Sequence, residues 1–317
     1  MTDVLIATST FGALDAQPLE RLRRAGITVR TNALGRTLRS EELIAQAQGC
    51  AGIIAGTERY DRTVLEHLPQ LRVISRVGSG VDGIDHEAAR ARGIVVASTP
   101  DAVSPAVAEL TVGLLLDLIR AISASSTQVR RGRWEKRMGR LVGELTIGLV
   151  GLGRIGQRVA VLLGGFGARL IGCDTRPDPA WAKEHGLVLK DRDALLASCD
   201  VVSLHVPYEP SLHHTIGARE LGFMPRGSFL INTSRGGLVD EAALAQALAS
   251  GHLAGAALDT FEQEPYEGPL RGMDQAILTP HIGSYARQAR LEMERQAVDH
   301  LLAALTTKGH ATMKEQR

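Results

Sequence analysis

An α/β chain made of two doubly wound parallel-sheet domains is predicted by three observations. Short, continuous apolar runs alternate with helix-patterned stretches over the first hundred residues, a second series of runs begins near residue 145, and a glycine cluster follows the first run of that series. Continuous β-rich runs belong to strands buried on both faces, which need crossover helices to cover the sheet. With 317 residues the chain is long enough for two domains of ordinary size, and 44% hydrophobic content with only 3% aromatic residues points to aliphatic cores.

In the first half the runs are Val4 to Ala7, Ile27 to Val29, Gly52 to Ala55, Leu71 to Ser75 and Ile94 to Ala97, with short amphipathic helices predicted near residues 16–25, 40–48, 61–67 and 85–91. Ser98-Thr99-Pro100 breaks the pattern. Ser104 is placed to cap, and Pro105 to open, a long apolar helix that runs through Ile122 and bridges the two domains. Glu109, Asp117 and Arg120 interrupt it, so it reads as a buried helix and not as a membrane span. The second half repeats the alternation with Leu145 to Val150, Ala168 to Cys173, Val201 to Leu204, Ser228 to Ile231, Leu253 to Ala257 and Ala276 to Leu278. A last helix over about 286–306 carries an apolar stripe of Met293, Ala297, Val298, Leu301 and Leu302 and is expected to pack on the first domain. The expected domains are therefore 1–98 with 287–317, and 99–286.

The glycine cluster is Gly151-Leu152-Gly153-Arg154-Ile155-Gly156, and Asp174 closes the next apolar run eighteen residues after the last glycine. Strand, glycine turn, helix, strand and acid in this order form a dinucleotide-binding fingerprint. Gly151 permits the turn, Gly153 lets the backbone approach a pyrophosphate, Gly156 allows close helix packing, and Asp174 accepts the ribose hydroxyls. The six runs of the second half then fit a complete Rossmann sheet.

Composition excludes other classes. The formal net charge is +1, and the basic cluster Arg130, Arg131, Arg133, Lys136, Arg137 and Arg140 lacks the aromatic interleaving of a nucleic-acid surface. Cys50, Cys173 and Cys199 are an odd number without metal-ligand spacing, so no metal is expected and the thiols read as reduced. The first apolar run follows no basic segment and is too short for a signal peptide, which gives a cytoplasmic expectation and no membrane partner.

Open α/β sheets bind ligands at the carboxyl ends of their strands, so the reactive groups belong in the loops there. Three loops stand out: Asn232-Thr233-Ser234-Arg235-Gly236-Gly237, Asp259 through Pro265, and Pro280-His281-Ile282-Gly283-Ser284. They offer a cation, an acid and an imidazole. An arginine can polarise a ketone and hold an adjacent carboxylate, a histidine can protonate the developing alkoxide, and an acid can stabilise the imidazolium.

These motifs, together with Arg76-Val77-Gly78-Ser79-Gly80-Val81-Asp82 and His205-Val206-Pro207, resemble the D-isomer-specific 2-hydroxyacid dehydrogenases, in particular their phosphoglycerate dehydrogenase-like branch, over about residues 45–305. The resemblance implies a flavodoxin-like substrate domain beside the NAD-binding Rossmann domain. It implies that Arg235, Glu264 and His281 are catalytic, with Glu264 hydrogen-bonded to His281. Gly151, Gly153, Arg154, Ile155 and Gly156 would line the pyrophosphate and Asp174 the adenosine ribose, while His205, Val206, Pro207, Thr233, Ser234, Asp259 and Gly283 would meet the rest of NAD. The backbone of Val77, Gly78, Ser79 and Gly80 would receive the substrate carboxylate, since an uncluttered backbone can aim several N–H groups at one anion. Arg76 would reach a substrate phosphate, making 3-phospho-D-glycerate the first substrate expected, ahead of plain 2-oxo acids such as glyoxylate, hydroxypyruvate or pyruvate and of a phosphonate analogue. In the loop after the third run, Ala55-Gly56-Thr57-Glu58-Arg59 stands where longer members of the branch offer a further arginine. A homodimer is implied, with residues 106–140 and Trp134 as a contact arm. The remote alternative is a non-enzymatic, nucleotide-sensing corepressor-like scaffold.

Overall fold

The computed structural model describes residues 2–306 and divides into two units, one from residues 1–103 with 285–317 and one from residues 104–284. The first unit is a five-stranded sheet of β1 (Thr2–Ile6), β2 (Ile27–Thr31), β3 (Gly52–Ala55), β4 (Val73–Arg76) and β5 (Val95–Ala97). All its strand pairs are parallel, in the order β2-β1-β3-β4-β5, which is the flavodoxin-like arrangement. Its crossover helices are α1 (Gln17–Arg24), α2 (Ser40–Ala47), α3 (Arg62–Glu66) and α4 (His86–Ala91). Asp61 and Asp85 cap α3 and α4 by accepting the N–H groups of Val64 and Ala88 at 2.9 and 2.8 Å.

Leu5, Ile53 and Ile74 face one side of this sheet and pack with Leu43, Leu65 and Tyr60. The other side receives the last helix, α12 (Arg287–Thr306). Met293, Ala297, Val298 and Leu301, all on the expected stripe, are fully buried, and Leu302 is half-buried. Ser75 donates its hydroxyl to the Ala297 carbonyl at 2.8 Å, tying α12 to β4. Glu294 is 1% exposed and accepts from Gly12 N–H at 3.0 Å and from Arg290 at 3.3 Å, so the buried acid joins the loop after β1 to α12.

The long apolar helix is α5 (Pro100–Arg120), which starts five residues earlier than predicted and carries Pro105 inside it. Pro100 already supplies the fixed φ that suits a first turn, so Ser104 is no cap, and Pro105 merely forgoes one backbone bond. The division between the units falls within α5, between Val103 and Ser104. Among the described residues this is the one helix long and apolar enough to cross a membrane, and most of it is buried in the protein. Ala121, at φ 49°, separates it from α6 (Ile122–Arg130).

The second unit holds seven parallel strands: β6 (Thr146–Val150), β7 (Arg169–Cys173), β8 (Leu187–Leu189), β9 (Val201–Leu204), β10 (Ser228–Asn232), β11 (Leu253–Leu258) and β12 (Ala276–Leu278). Their order is β12-β11-β10-β9-β6-β7-β8, the Rossmann pattern extended by one edge strand on the β12 side. The sequence reading lacks β8, a three-residue edge strand whose middle residue, Val188, is 56% exposed. α7 (Arg154–Gly164), α8 (Pro179–Glu184), α9 (Arg192–Leu196), α10 (Ala218–Phe223) and α11 (Glu241–Ala249) complete the unit. Successive residues of one strand serve opposite cores: Val201, Ile231 and Ala257 pack with α5 and α7, while Val202, Leu230 and Ala256 pack with α9, α10 and α11. The order in which successive strands are added reverses between β6 and β9, so the loops after these parallel strands flank the switch point where such sheets bind ligands.

Candidate active site

The glycine turn after β6 is a cradle that side chains would fill. Gly151 has φ 97°, and a Cβ there would lie 2.6 Å from the His205 carbonyl oxygen. A Cβ on Gly156 would lie 2.0 Å from the Gly151 carbonyl oxygen, whereas one on Gly153 would meet nothing within 4 Å. Gly153 is also the N-cap of α7 and gives it no side-chain bond, so an open helix N-terminus faces that space. Asp174 accepts from Leu152 N–H at 2.7 Å and from Arg176 N–H at 2.8 Å, which fixes its carboxylate beside the turn. These features fit a dinucleotide: backbone donors for a pyrophosphate and an oriented acid for a ribose.

His205, after β9, is buried against the same turn. Its Nε2 shares a hydrogen bond of 3.0 Å with Ser203 Oγ, and its Nδ1 has no hydrogen-bond partner among the described residues. Burial drives its imidazole down to about 4, so it is neutral near pH 7. An orphaned ring nitrogen at this place is a further polar group for a bound nucleotide to satisfy.

The three loops of interest lie at the ends of β10, β11 and β12. Asn232 shapes the first one: its Oδ1 accepts from Ser234 N–H at 3.0 Å and its Nδ2 donates to the Arg235 carbonyl at 2.9 Å. Ser234 donates its hydroxyl to the Leu204 carbonyl at 2.7 Å, and Thr233, also buried, meets Thr111 Oγ1 at 2.9 Å. The Arg235 guanidinium donates to the Ser234 carbonyl at 2.7 Å. A Cβ on Gly236 would lie 1.8 Å from the Phe261 carbonyl carbon, so only glycine lets the Arg235 loop and the Glu264 loop pack backbone to backbone.

Glu264 and His281 are brought together across seventeen residues. His281 Nδ1 lies 2.9 and 3.1 Å from the two carboxylate oxygens, and both side chains are somewhat over a third exposed. Burial pushes the Glu264 carboxyl up, but the His281 hydrogen bond and charge, the Phe261 N–H and the Arg235 charge outweigh it and hold it below the usual carboxylate range. Val206 and Pro207 follow β9 beside the glycine turn, and Arg154 and Ile155 open α7.

Asp259 has a part that the sequence did not reveal. It is 1% exposed, and its Oδ1 accepts from Thr279 Oγ1 at 2.5 Å and from Ile282 N–H at 2.8 Å. Its Oδ2 accepts from Gly283 N–H at 2.7 Å. The carboxylate therefore clamps the loop on both sides of His281, whose φ of 53° is unusual for a non-glycine residue. Thr111 and Thr279 were also missed, since each acts through a partner distant in sequence, and so was Ser203, whose partner His205 lies two residues on. So were His213, His214 and Glu262, whose ligating atoms lie within 4.8 Å of one another.

In the first unit, Arg76, Val77, Gly78, Ser79 and Gly80 follow β4. The expectation that all four backbone groups from Val77 to Gly80 receive an anion needs correction. Val77 N–H extends the sheet ladder to the Ala55 carbonyl at 3.0 Å, and Gly78 N–H donates to Thr99 Oγ1 at 2.9 Å. The N–H groups of Ser79 and Gly80 remain, with no partner among the described residues. Arg76 is folded back on its own loop and donates to the Val77 carbonyl.

The unprotonated state of His205 has a measurable consequence. Its ring is protonated at an ordinary pKa near 6.5 in the unfolded chain but only near 4 when folded, so the unfolded state binds the extra proton between these values. Its contribution is present above pH 6.5 and is lost as the pH falls toward 4, by up to about 3 kcal/mol. Urea unfolding of the protein and of His205→Gln from pH 7 to pH 5 should show a steeper loss for the unsubstituted protein; parallel curves would contradict the assignment.

Comparison with known proteins agrees with this geometry. Residues 112–283 match the family described as D-isomer specific 2-hydroxyacid dehydrogenase, NAD binding domain. The chain is 40% identical over 260 residues to the D-3-phosphoglycerate dehydrogenase of Methanocaldococcus jannaschii, covering 80% of this chain and 49% of that protein. It is 39% identical over 257 residues to the glyoxylate reductase of Thermococcus litoralis, covering 78% of each. The crystal structure of the TT0316 protein from Thermus thermophilus superposes with a TM-score of 0.87 at 38% identity, covering 96% of this chain and 97% of that one. The match thus spans about half the length of the phosphoglycerate dehydrogenase but nearly the whole of the solved structure. With the glycine turn, the oriented Asp174 and the paired Glu264 and His281 in place, the chain belongs to the D-isomer specific 2-hydroxyacid dehydrogenase family.

Proposed function

We propose that the protein is an NAD-dependent dehydrogenase that interconverts a small D-2-hydroxy acid and its 2-oxo acid at C2. The Glu264–His281 pair carries this reading. With Nδ1 engaged by the carboxylate, Nε2 is the atom left to move a proton. His281 gives that proton to the C2 oxygen as the carbonyl becomes an alkoxide and takes it back in the oxidative direction. Glu264 stabilises the imidazolium, and Arg235 stabilises the negative charge on the same oxygen and pairs with the adjacent carboxylate. The bound nicotinamide supplies or accepts the hydride. Gly151, Gly153, Arg154, Ile155 and Gly156 hold the pyrophosphate, Asp174 the ribose, and His205, Val206, Pro207, Thr233, Ser234 and Gly283 lie toward the nicotinamide, with Asp259 acting through the loop that it clamps. The N–H groups of Ser79 and Gly80 take the substrate carboxylate. The names of the relatives point to two substrate classes, a phosphorylated acid and a plain one. The sequence motifs place 3-phospho-D-glycerate first.

His281→Asn should lower kcat for oxo-acid reduction by about 10²–10⁴-fold while the dissociation constant for NADH changes little, because the ring serves the proton and not the nucleotide. Activity within threefold of the parent enzyme would refute the assignment.

NADH should be preferred to NADPH, since the Asp174 carboxylate would stand close to a 2′-phosphate and like charges repel. The kcat/KM values for the two nucleotides decide this, and an NADPH value equal to or above that for NADH would reverse it.

We also propose a homodimer, through the segment after α5. Val129, Trp134, Met138 and Leu141 are each more than half exposed there, with Trp134 at 83% and Met138 at 100%. Such a run of large apolar groups suits contact with a second copy. Light scattering should give twice the 33.9 kDa chain mass, and Trp134→Glu with Met138→Glu should shift it toward the monomer. A parent protein that is monomeric at micromolar concentration would exclude the proposal.

A further inference from the structure

Beside the Arg235 loop, the second unit gathers two imidazoles and a carboxylate that the reaction does not use. His213 and His214 lie in the loop after β9, and Glu262 lies in the loop after β11. One ring nitrogen from each histidine and one Glu262 oxygen lie within 4.8 Å of one another, and among the described residues this is the one group of three or more such side chains. The two rings stack with centroids 3.9 Å apart and a tilt of 23°, so that a nitrogen from each can address one point at their common edge. His214 Nε2 is hydrogen-bonded to Glu262 Oε1, and His213 Nδ1 meets the Tyr208 hydroxyl at 3.3 Å. The backbone holds these groups in place. His214, at φ 52°, donates its N–H to the Gly237 carbonyl at 2.8 Å, and two residues later Ile216 N–H donates to the Leu238 carbonyl at 3.0 Å. Glu262 N–H donates to Glu241 Oε1 at 2.9 Å, which brings a second carboxylate beside the cluster.

We propose that His213, His214 and Glu262 form a binding site for a divalent transition-metal ion of the zinc class, which cross-links the loop after β9 to the loop after β11. Two imidazoles and a carboxylate are donors that Zn²⁺ takes at about 2.0–2.2 Å, whereas Mg²⁺ and Ca²⁺ call for oxygen ligands. A tetrahedral ion with such bonds keeps its ligand atoms about 3.3 Å apart, so no separation among the three groups has to change by more than about 1.5 Å. The carboxylates of Glu262 and Glu241 supply negative charge for a cation to offset. His213 and Glu262 are exposed, so the ion enters from solvent, and with three protein ligands its fourth position is left to water. The ion takes no part in hydride or proton transfer. Its part is to fasten together two segments that flank the Arg235 loop, one of which runs on from Glu262 to Glu264. Cysteine spacing gives no sign of such a site, and Glu262 lies 48 residues beyond His214 in the sequence.

Calorimetric titration of the full chain, freed of metal by a chelator, with ZnCl₂ tests the proposal. One ion per chain should bind with a dissociation constant of about 10 µM or tighter, and Mg²⁺ or Ca²⁺ at about 1 mM should not displace it. His213→Asn, His214→Asn and Glu262→Gln should each weaken binding by about tenfold or more. Asparagine tolerates a positive φ, so His214→Asn keeps the course of the loop. His281→Asn leaves the cluster intact and should bind Zn²⁺ as the parent does, which separates this site from the Glu264–His281 pair. Amide hydrogen exchange of the parent, a readout that needs no variant, should slow on adding Zn²⁺ in residues 208–216 and 259–264 and stay unchanged in β1 to β5. No binding of Zn²⁺ at about 100 µM, an affinity unmoved in the three cluster variants, an affinity lost in His281→Asn, or exchange that slows only outside the two loops would overturn the proposal.

Discussion

The geometry of the candidate site hangs on the hydrogen bonds that Asp259 accepts at the end of β11. A buried carboxylate is tolerated only when its oxygens are satisfied, and here Thr279, Ile282 and Gly283 satisfy them. The same bonds fasten the loop after β12 to β11 and hold His281 with a positive φ that a free loop would seldom choose. From that position the imidazole meets Glu264. The acid comes from the segment that continues Asp259 itself, so one buried group aligns both Glu264 and His281. Gly236 lets the Arg235 loop press against the backbone of Phe261, which carries the chain on to Glu264.

The nucleotide side is built differently, from missing side chains more than from present ones. Parallel strands are covered on both faces, and β6 and β9 are buried along almost their whole length, so ligand groups come from the turns beyond them. In the turn after β6 the available groups are backbone donors, exposed because Gly151, Gly153 and Gly156 have no Cβ. Asp174 and His205 then add oriented polar atoms from the two neighbouring strand ends. The acid is fixed by two N–H groups, and the imidazole is kept neutral by burial.

Two buried glutamates in the first unit are held by the N–H groups that donate to them. Glu294 engages Arg290 and the Gly12 N–H, which ties a helix to a loop, and both charged groups are compensated inside the unit. Glu58 accepts from the Gly56 N–H just beyond the end of β3, which ties the acid to its own loop.

What the sequence alone determined is whatever depends on local pattern. Continuous apolar runs identified eleven of the twelve strands, because burial on both faces leaves an unbroken signature, and the edge strand β8 escaped because Val188 faces solvent. The glycine spacing with Asp174, and the residues Arg235, Glu264 and His281, were legible as motifs. The start of α5 was not, since Pro100 and Ser104-Pro105 carry competing start signals and only packing chooses between them. Tertiary structure decided the rest: that Asp259 is a clamp, and that Val77 and Gly78 spend their N–H groups on Ala55 and Thr99. Each of these depends on a partner about twenty residues away brought close by strand register, and the hydrogen-bonding capacity of a group is visible in sequence whereas its use is not.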